Sequence, residues 1–301
     1  MQERIVELLA ARGPQTGTEI REALGGEPFA LWKACMLSPR LMNRRVGRRY
    51  VRLDRRVEGF ARLSPSIQRE FLTYTVVGRA DDQAAVERRM AEIEARIKDI
   101  SRSKRELASR IIGDIAARFP GVGDREERFC VAVAGDIVYD MGHDVRRPER
   151  STGSIVRGSD LDIVVLVDDE APDALVSELD EAIYREKFQY LRNPAFCEEI
   201  DYVVKRFAKL REQAGFDTFR RMVACKIFDE AVLLYGSEAL FAAGKALLAE
   251  RGIIDRLRAL EQAAIRWREE RERHLLADDR LTLRGDDRFF FYTDDECEEF
   301  E

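Results

Sequence analysis

The chain has 301 residues, 45% of them hydrophobic, with a formal net charge of −6. That length and apolar content suffice to bury a core, with room for two domains or one with appendages, and the negative sum argues against a surface coated in nucleic acid. No apolar stretch approaches the ~20 residues of a membrane helix, and "MQERIVELLAARG" lacks the basic flank and long apolar run of a secretory signal, so no membrane partner and a cytoplasmic location are expected.

The five cysteines (35, 130, 197, 225, 297) are odd in number, widely spaced and without a C-x-x-C, and only two histidines accompany them, which speaks against zinc and against a disulfide framework. Arginine outnumbers lysine 43 to 8, so single arginines carry little information and only local clusters count.

In chain order, "ERIVELLAAR" places Ile5, Leu8 and Leu9 at helical spacing, and Gly13-Pro14 stops it. Thr16 with Glu19 predicts a capping box for "TEIREALG", which Gly25-Gly26 ends. Pro28 suits the first turn of "EPFALWKACML". In "RLMNRRVGRRYVRLD", Gly47 separates two short runs that are expected to pair as a ribbon. Three helices followed by a β-ribbon resemble a winged helix-turn-helix over roughly residues 1 to 60. Eight arginines fall between Arg40 and Arg56, where the chain average gives two or three. That excess points to a phosphate-facing wing, with Lys33, Arg44, Arg45, Arg48 and Arg49 as candidate nucleic-acid contacts. The other reading is a basic hairpin docked on acidic residues of the same chain.

From residue 81 to 119 no Gly precedes Gly113, and Val86, Met90, Ile93, Ile97, Ile100, Leu107 and Ile111 keep a 4-3 spacing broken only at Lys104. One long helix is predicted, a spacer of about 50 Å at 1.5 Å per residue, half of a homodimer through residues 83–118, or a helix packed on its own domain. "FPGVGD" then marks a boundary, after which the strands "RFCVAVAGDIVYDM", "DLDIVVLV" and "EEIDYVV" alternate with helices. The tail "DDECEEFE" reads as a disordered acidic end.

"TGSIVRGSDLDIVVLVDD" puts two aspartates at the mouth of an apolar strand. Side chains alternate along a strand, so Asp160 and Asp162 share a face while Leu161, Ile163 and Val165 take the other. Two adjacent carboxylates repel unless a cation lies between them, and all-oxygen ligands favour Mg2+ or Mn2+. "CEEIDYVVKRF" offers Asp201 as a third acid on a neighbouring apolar strand, with Glu199 two residues earlier as a substitute. Gly153-Ser154 and the "RGS" of Arg157, Gly158 and Ser159 supply amides, hydroxyls and a guanidinium for phosphate oxygens.

The order Gly-Ser, loop, "SDLDIVV", helix, third acid, then a helix running into "AVLLYG" resembles the nucleotidyltransferases of the DNA polymerase β superfamily over residues 125 to 250. "RGSDLDIVVLV" is similar to the oligoadenylate-synthase-like and bacterial signalling members, and "FDEAVLLYGSEAL" to the minimal ones. The resemblance implies a palm-like mixed sheet, two magnesium ions, and in-line attack of an acceptor hydroxyl on the α-phosphate of a nucleoside triphosphate with loss of pyrophosphate. Asp160 and Asp162 match the first two metal ligands, Asp201 the third, and Gly153 with Ser154, Arg157 and Ser159 the nucleotide contacts. The gap from Ser154 to Asp160, five residues, is shorter than is usual in that family. Either the loop is short, or Ser151 or Thr152 stands near the phosphates instead; Gly135-Asp136 lies further upstream.

No Walker A sequence and no G-x-S-x-G occur, and His143 and His274 lack a nucleophile beside them. Lys226 is a candidate point charge for a triphosphate or a lysine on a helix surface. The whole predicts an α+β chain: a winged helix-turn-helix over 1–78, a long helical connector over 79–120, and a nucleotidyltransferase domain over 121–301 with mixed sheet, flanking helices and acidic tail. A magnesium-dependent transferase acting on or controlled by a nucleic acid is the expectation. Alternatives are a nucleotide second-messenger synthase, a protein-modifying toxin or defence transferase, and a DNA-binding regulator whose transferase-like domain only senses nucleotides.

Overall fold

A computed structural model describes residues 1–118, 127–149, 152–278, 281–283 and 286–291. The boundary segment "FPGVGD", the acidic tail and Ser151 lie outside the described residues. The chain is mixed α+β and divides into two compact units, Met1–Arg96 with the described residues from Leu260 onward, and Ile97–Ala259. Among the described residues no helix is long and apolar enough to cross a membrane.

The first unit begins with α1 (Gln2–Arg12), β1 (Gln15–Thr16), α2 (Gly17–Leu24) and α3 (Pro28–Met36). The Thr16–Glu19 capping box closes reciprocally at the start of α2, and Pro28 takes the first turn of α3. β2 (Leu41–Arg45), β3 (Tyr50–Leu53), β4 (Ala61–Ser64), α4 (Ile67–Tyr74) and β5 (Thr75–Arg79) follow. The expected ribbon across Gly47 does not form. β2 pairs antiparallel with β5, Asn43 opposite Val77, and β3 pairs with β4, Val51 opposite Leu63. Gly47 turns the chain at φ +73° between strands that belong to different sheets. Ile5, Leu9, Ile20, Phe29, Leu31, Trp32, Phe71 and Val77 form the core, joined by Leu275 and by Phe291, whose ring stands edge-on to Phe29 at 5.2 Å.

α5 (Gln83–Ala116) is the long helix, and Val86, Ile93, Ile97, Leu107 and Ile111 of its seam are buried within the single chain. Its residues from Ile97 on belong to the second unit. There the strands are β6 (Phe129–Ala134), the hairpin β7 (Arg146–Pro148) and β8 (Ile155–Arg157), β9 (Leu161–Val167), β10 (Ile200–Arg206) and β11 (Val232–Gly236). The helices are α6 (Asp173–Arg192), α7 (Phe207–Gln213), α8 (Phe219–Glu230), α9 (Glu238–Glu250) and α10 (Ile253–Ala277), the last running on into the first unit, where α11 (Asp286–Phe291) follows.

A four-stranded sheet runs β10-β9-β6-β11, with β9 and β10 parallel and the other pairs antiparallel. β9 lies between two neighbours and all seven of its residues are buried, which explains a nearly continuous Leu/Ile/Val run in place of alternation. Asp162 is the one charged residue in that run. Val131, Val133, Ile163, Val165 and Val167 pack with Ile111, Ile112 and Ile115 of α5 and Leu175, Leu179 and Ile183 of α6.

Candidate metal centre

The strand register creates the site. β9 starts at Leu161, so Asp160 is the last residue before it and Asp162 the second within it. Asp201 is the second residue of β10 and stands in register with Asp162, so the two carboxylates leave the sheet on the same face. One carboxylate oxygen from each of Asp160, Asp162 and Asp201 lies within 4.8 Å of the other two. Two oxygens on opposite sides of one Mg2+ are about 4.2 Å apart, and paired ions sit about 3.5–4 Å from each other. The three acids therefore fit one ion after a small closure, or two ions that share ligands. Asp162 is buried, 8% exposed, where the strand enters the core.

Gly135 makes room for Asp162. It follows β6, whose Ala134 is paired with Asp162, and has φ +79°. A Cβ there would lie 2.0 Å from Asp162 Oδ2. The Gly135 amide donates to Glu230 Oε1 at 3.1 Å, and Lys226 Nζ is 2.8 Å from Glu230 Oε2. Lys226 is thus buried in an ion pair near the strand end, not displayed on a helix surface.

Two cations stand beside the acids. Lys187 of α6 donates to Asp201 Oδ1 at 2.8 Å, and Arg147 of β7 reaches Asp160 Oδ2 at 3.5 Å and Glu199 Oε2 at 2.7 Å. Glu199 therefore serves as a partner of Arg147 next to the triad. Burial first, then the nearby Asp160 charge, pushes the Glu199 carboxyl up to about 7, while the Arg147 guanidinium pulls the other way.

The expected phosphate donors are placed otherwise. Gly153 and Ser154 close the turn of the β7–β8 hairpin: Gly153 N donates to Glu149 O at 2.8 Å, Glu149 N donates to Ser154 O at 2.7 Å, and the Thr152 hydroxyl bonds Glu149 and Ser154. The amides of "RGS" are already used, Arg157 N on Cys197 O, Gly158 N on Val145 O and Ser159 N on His143 O. Ser159 is 2% exposed, and its hydroxyl donates to Asp136 Oδ2 at 3.2 Å. Gly158 and Ser159 are buried in the lead-in to Asp160, whereas Thr152, Gly153 and Arg157 are exposed to solvent and Ser154 is half-buried.

In the first unit Lys33 is 4% exposed with its ammonium 5.7 Å from the Phe29 ring centre, which removes it as a nucleic-acid contact. Arg49 bonds both oxygens of Glu70 at 2.6 Å and Glu272 at 2.8 Å, which is the docked-hairpin alternative for this residue. Arg44, Arg45 and Arg48 are exposed.

Sequence reasoning missed Lys104, Arg147 and Lys187 beside the acids, and weighed Gly135-Asp136 only as a candidate lying further upstream. Lys104 had left a signal as the single break in the apolar seam; nothing local distinguished Arg147 or Lys187 from other surface cations. Compared with family models, with curated proteins and with solved structures, the chain matches none.

Proposed function

We propose that the chain is a magnesium-dependent nucleotidyltransferase that moves a nucleoside monophosphate from a triphosphate to an acceptor hydroxyl. The observation that carries this reading is the meeting of Asp160, Asp162 and Asp201 at the lead-in ends of two parallel strands, in a mixed sheet of the kind that the resemblance implies. The order of the acids, two before and one after a long helix, agrees with it as well.

On this reading Asp160 and Asp162 hold the divalent ion that carries the triphosphate, and Asp201 stands on the acceptor side. The ion supplies charge stabilisation to the phosphoryl oxygens when it is bound. The chain orients the reactants: β9 and β10 fix the acids in register, Gly135 leaves space for Asp162, and Arg147 and Lys187 keep the carboxylates apart from one another's repulsion. The acceptor oxygen attacks the α-phosphorus in line, its proton passes to solvent or to a neighbouring carboxylate, and pyrophosphate leaves.

A nucleic-acid acceptor is supported by the first unit. Three helices precede the antiparallel pair β2·β5, the helix-helix-helix-ribbon order of a winged helix, with residues 46–74 inserted between the ribbon strands. Arg44 and Arg45 at the end of β2, with Arg48 just beyond, are exposed for phosphates. A second reading, a DNA-binding regulator with an inactive transferase-like domain, draws support from Lys187 and Arg147, which give Asp201 and Asp160 cationic neighbours without any metal.

The test is incubation with each α-labelled nucleoside triphosphate, Mg2+ and RNA, DNA, free nucleotide or protein as acceptor. Label transfer that disappears with Asp160→Asn/Asp162→Asn supports the enzyme and names its acceptor. Unchanged DNA binding by that variant, with no transfer by the parent, supports the regulator.

A further inference from the structure

Lys104 occupies the one charged position of the α5 seam, and only 6% of it is exposed. Its ammonium donates to Ser159 O at 2.6 Å, Arg157 O at 3.0 Å and Glu198 Oε2 at 2.5 Å, so its three N–H donors all have acceptors. Two of these acceptors lie in the three residues leading to Asp160; the third lies three residues before Asp201.

The two lead-ins already run side by side. Arg157 N donates to Cys197 O and Leu161 N to Glu199 O, both at 2.9 Å, continuing the β9·β10 pairing toward the acids. Those bonds fix the lead-ins laterally, within the sheet. Lys104 comes from a helix packed on the sheet and fixes them in the third direction, from a single point.

Stability alone does not call for a cation here. A buried ion pair is often no more stabilising than apolar side chains of equal volume, and every other buried seam position of α5 between Val86 and Ile111 is apolar except Ser101. What a well-packed methionine cannot do is hold two carbonyls and a carboxylate at defined distances. Metal and transfer sites need their groups held within about 0.5 Å.

We propose that Lys104 is a positioning residue of the acid centre: one buried ammonium clamps the lead-ins of both acid-bearing strands and so sets the separation of Asp160 and Asp201. This rests on the reading of the three acids as a metal centre, and the experiment separates the two.

Lys104→Met alone strands the Glu198 carboxylate, so the informative variant is Lys104→Met/Glu198→Gln, which removes both charges and keeps volume. Glu198→Gln, which retains Lys104 and its two carbonyl bonds, is the reference. The readouts are hydrogen exchange over residues 157–162 and 198–202 and Mn2+ affinity by electron paramagnetic resonance. The expected result is a double variant melting within a few degrees of the reference, with exchange tenfold or more faster in both segments and Mn2+ bound at least tenfold more weakly.

Exchange that matches the reference overturns the clamp, whatever the metal does. Faster exchange with unchanged Mn2+ affinity overturns the positioning role. If the parent binds no Mn2+ while the double variant exchanges faster in both segments, the clamp stands and the metal-centre reading fails. Lys104→Arg, which keeps the charge but cannot set three donors at one point, is read the same way and covers the case of a double variant that does not fold.

Discussion

Gly135→Ala tests whether the glycine that serves the acids is the one after β6. Gly135 has φ +79° and ψ −159°, a region essentially reserved for glycine, where an alanine costs about 1–3 kcal/mol. The new Cβ would also stand 2.0 Å from Asp162 Oδ2 and 3.1 Å from its Cγ, so the carboxylate has to rotate out of the triad. At about 2–4 °C per kcal/mol for a unit of this size, the melting temperature should fall by roughly 2–12 °C. Mn2+ affinity should fall at least tenfold. The control is Gly153→Ala, at φ +70° with nothing within 4 Å of the added methyl, which costs about 1–2 kcal/mol in backbone strain and should leave Mn2+ binding as it was. Calorimetry and Mn2+ titration on the two variants decide the matter. Loss of metal binding in Gly153→Ala with retention in Gly135→Ala would refute the assignment and return the hairpin turn to the site.

Arg49→Ala should destabilise the first unit by about 3 kcal/mol, because it breaks a half-buried pair with Glu70 and Glu272, and should leave nucleic-acid affinity unchanged. Joint replacement of Arg44, Arg45 and Arg48 by alanine should do the reverse, lowering the logarithmic salt slope of duplex binding by about 2–3 at small cost in stability. Filter binding over a salt series, with thermal melts, distinguishes these patterns, and equal slopes would count against the phosphate-facing surface. Lys205 is buried against Gln213, and burial lowers its ammonium to about 8 from 10.5. Below pH 8 both folded and unfolded states carry the proton, so the buried charge opposes folding in full; from 8 to 10.5 the native state sheds it and the penalty fades. Lys205→Met should therefore gain up to about 3 kcal/mol at pH 7, less the lost Gln213 bond, and the gain should shrink through that window. Urea melts at pH 7 and 10 giving the same gain would contradict the assignment. Asp201→Asn should weaken Mn2+ binding while releasing Lys187, whereas Glu199→Gln, which touches Arg147 and not the triad, should leave Mn2+ affinity within a few-fold; equal losses would place Glu199 among the ligands.

The acids were legible because a charge inside an apolar strand run is rare and strand periodicity fixes its face; from that the pairing of Asp162 with Asp201 follows once two apolar strands are adjacent. The donors around them were not. A Gly-Ser match in the sequence chose Gly153, but the glycine that faces the acid is set by the antiparallel register of β6 with β9, which a linear spacing across a 25-residue excursion does not encode. The same holds in the first unit, where β2 finds its partner in β5 some 30 residues on, while the turn at Gly47 suggested a local ribbon. Lys33 and Arg49 read as exposed charges because a side chain's burial depends on partners distant in sequence, Glu272 in the case of Arg49. Lys104 is the instructive middle case: the 4-3 pattern marked its position as internal, and only the acceptors on two separate lead-ins show what the charge is for.

The most direct test of the central claim is pyrophosphate release from each of the four ribonucleoside triphosphates in Mg2+, with and without total RNA or DNA, for the parent and for Asp160→Asn/Asp162→Asn. The account predicts release by the parent with at least one triphosphate, dependent on Mg2+ and abolished in the variant. Release that persists in the variant, or none by the parent with any triphosphate and any acceptor, would contradict it.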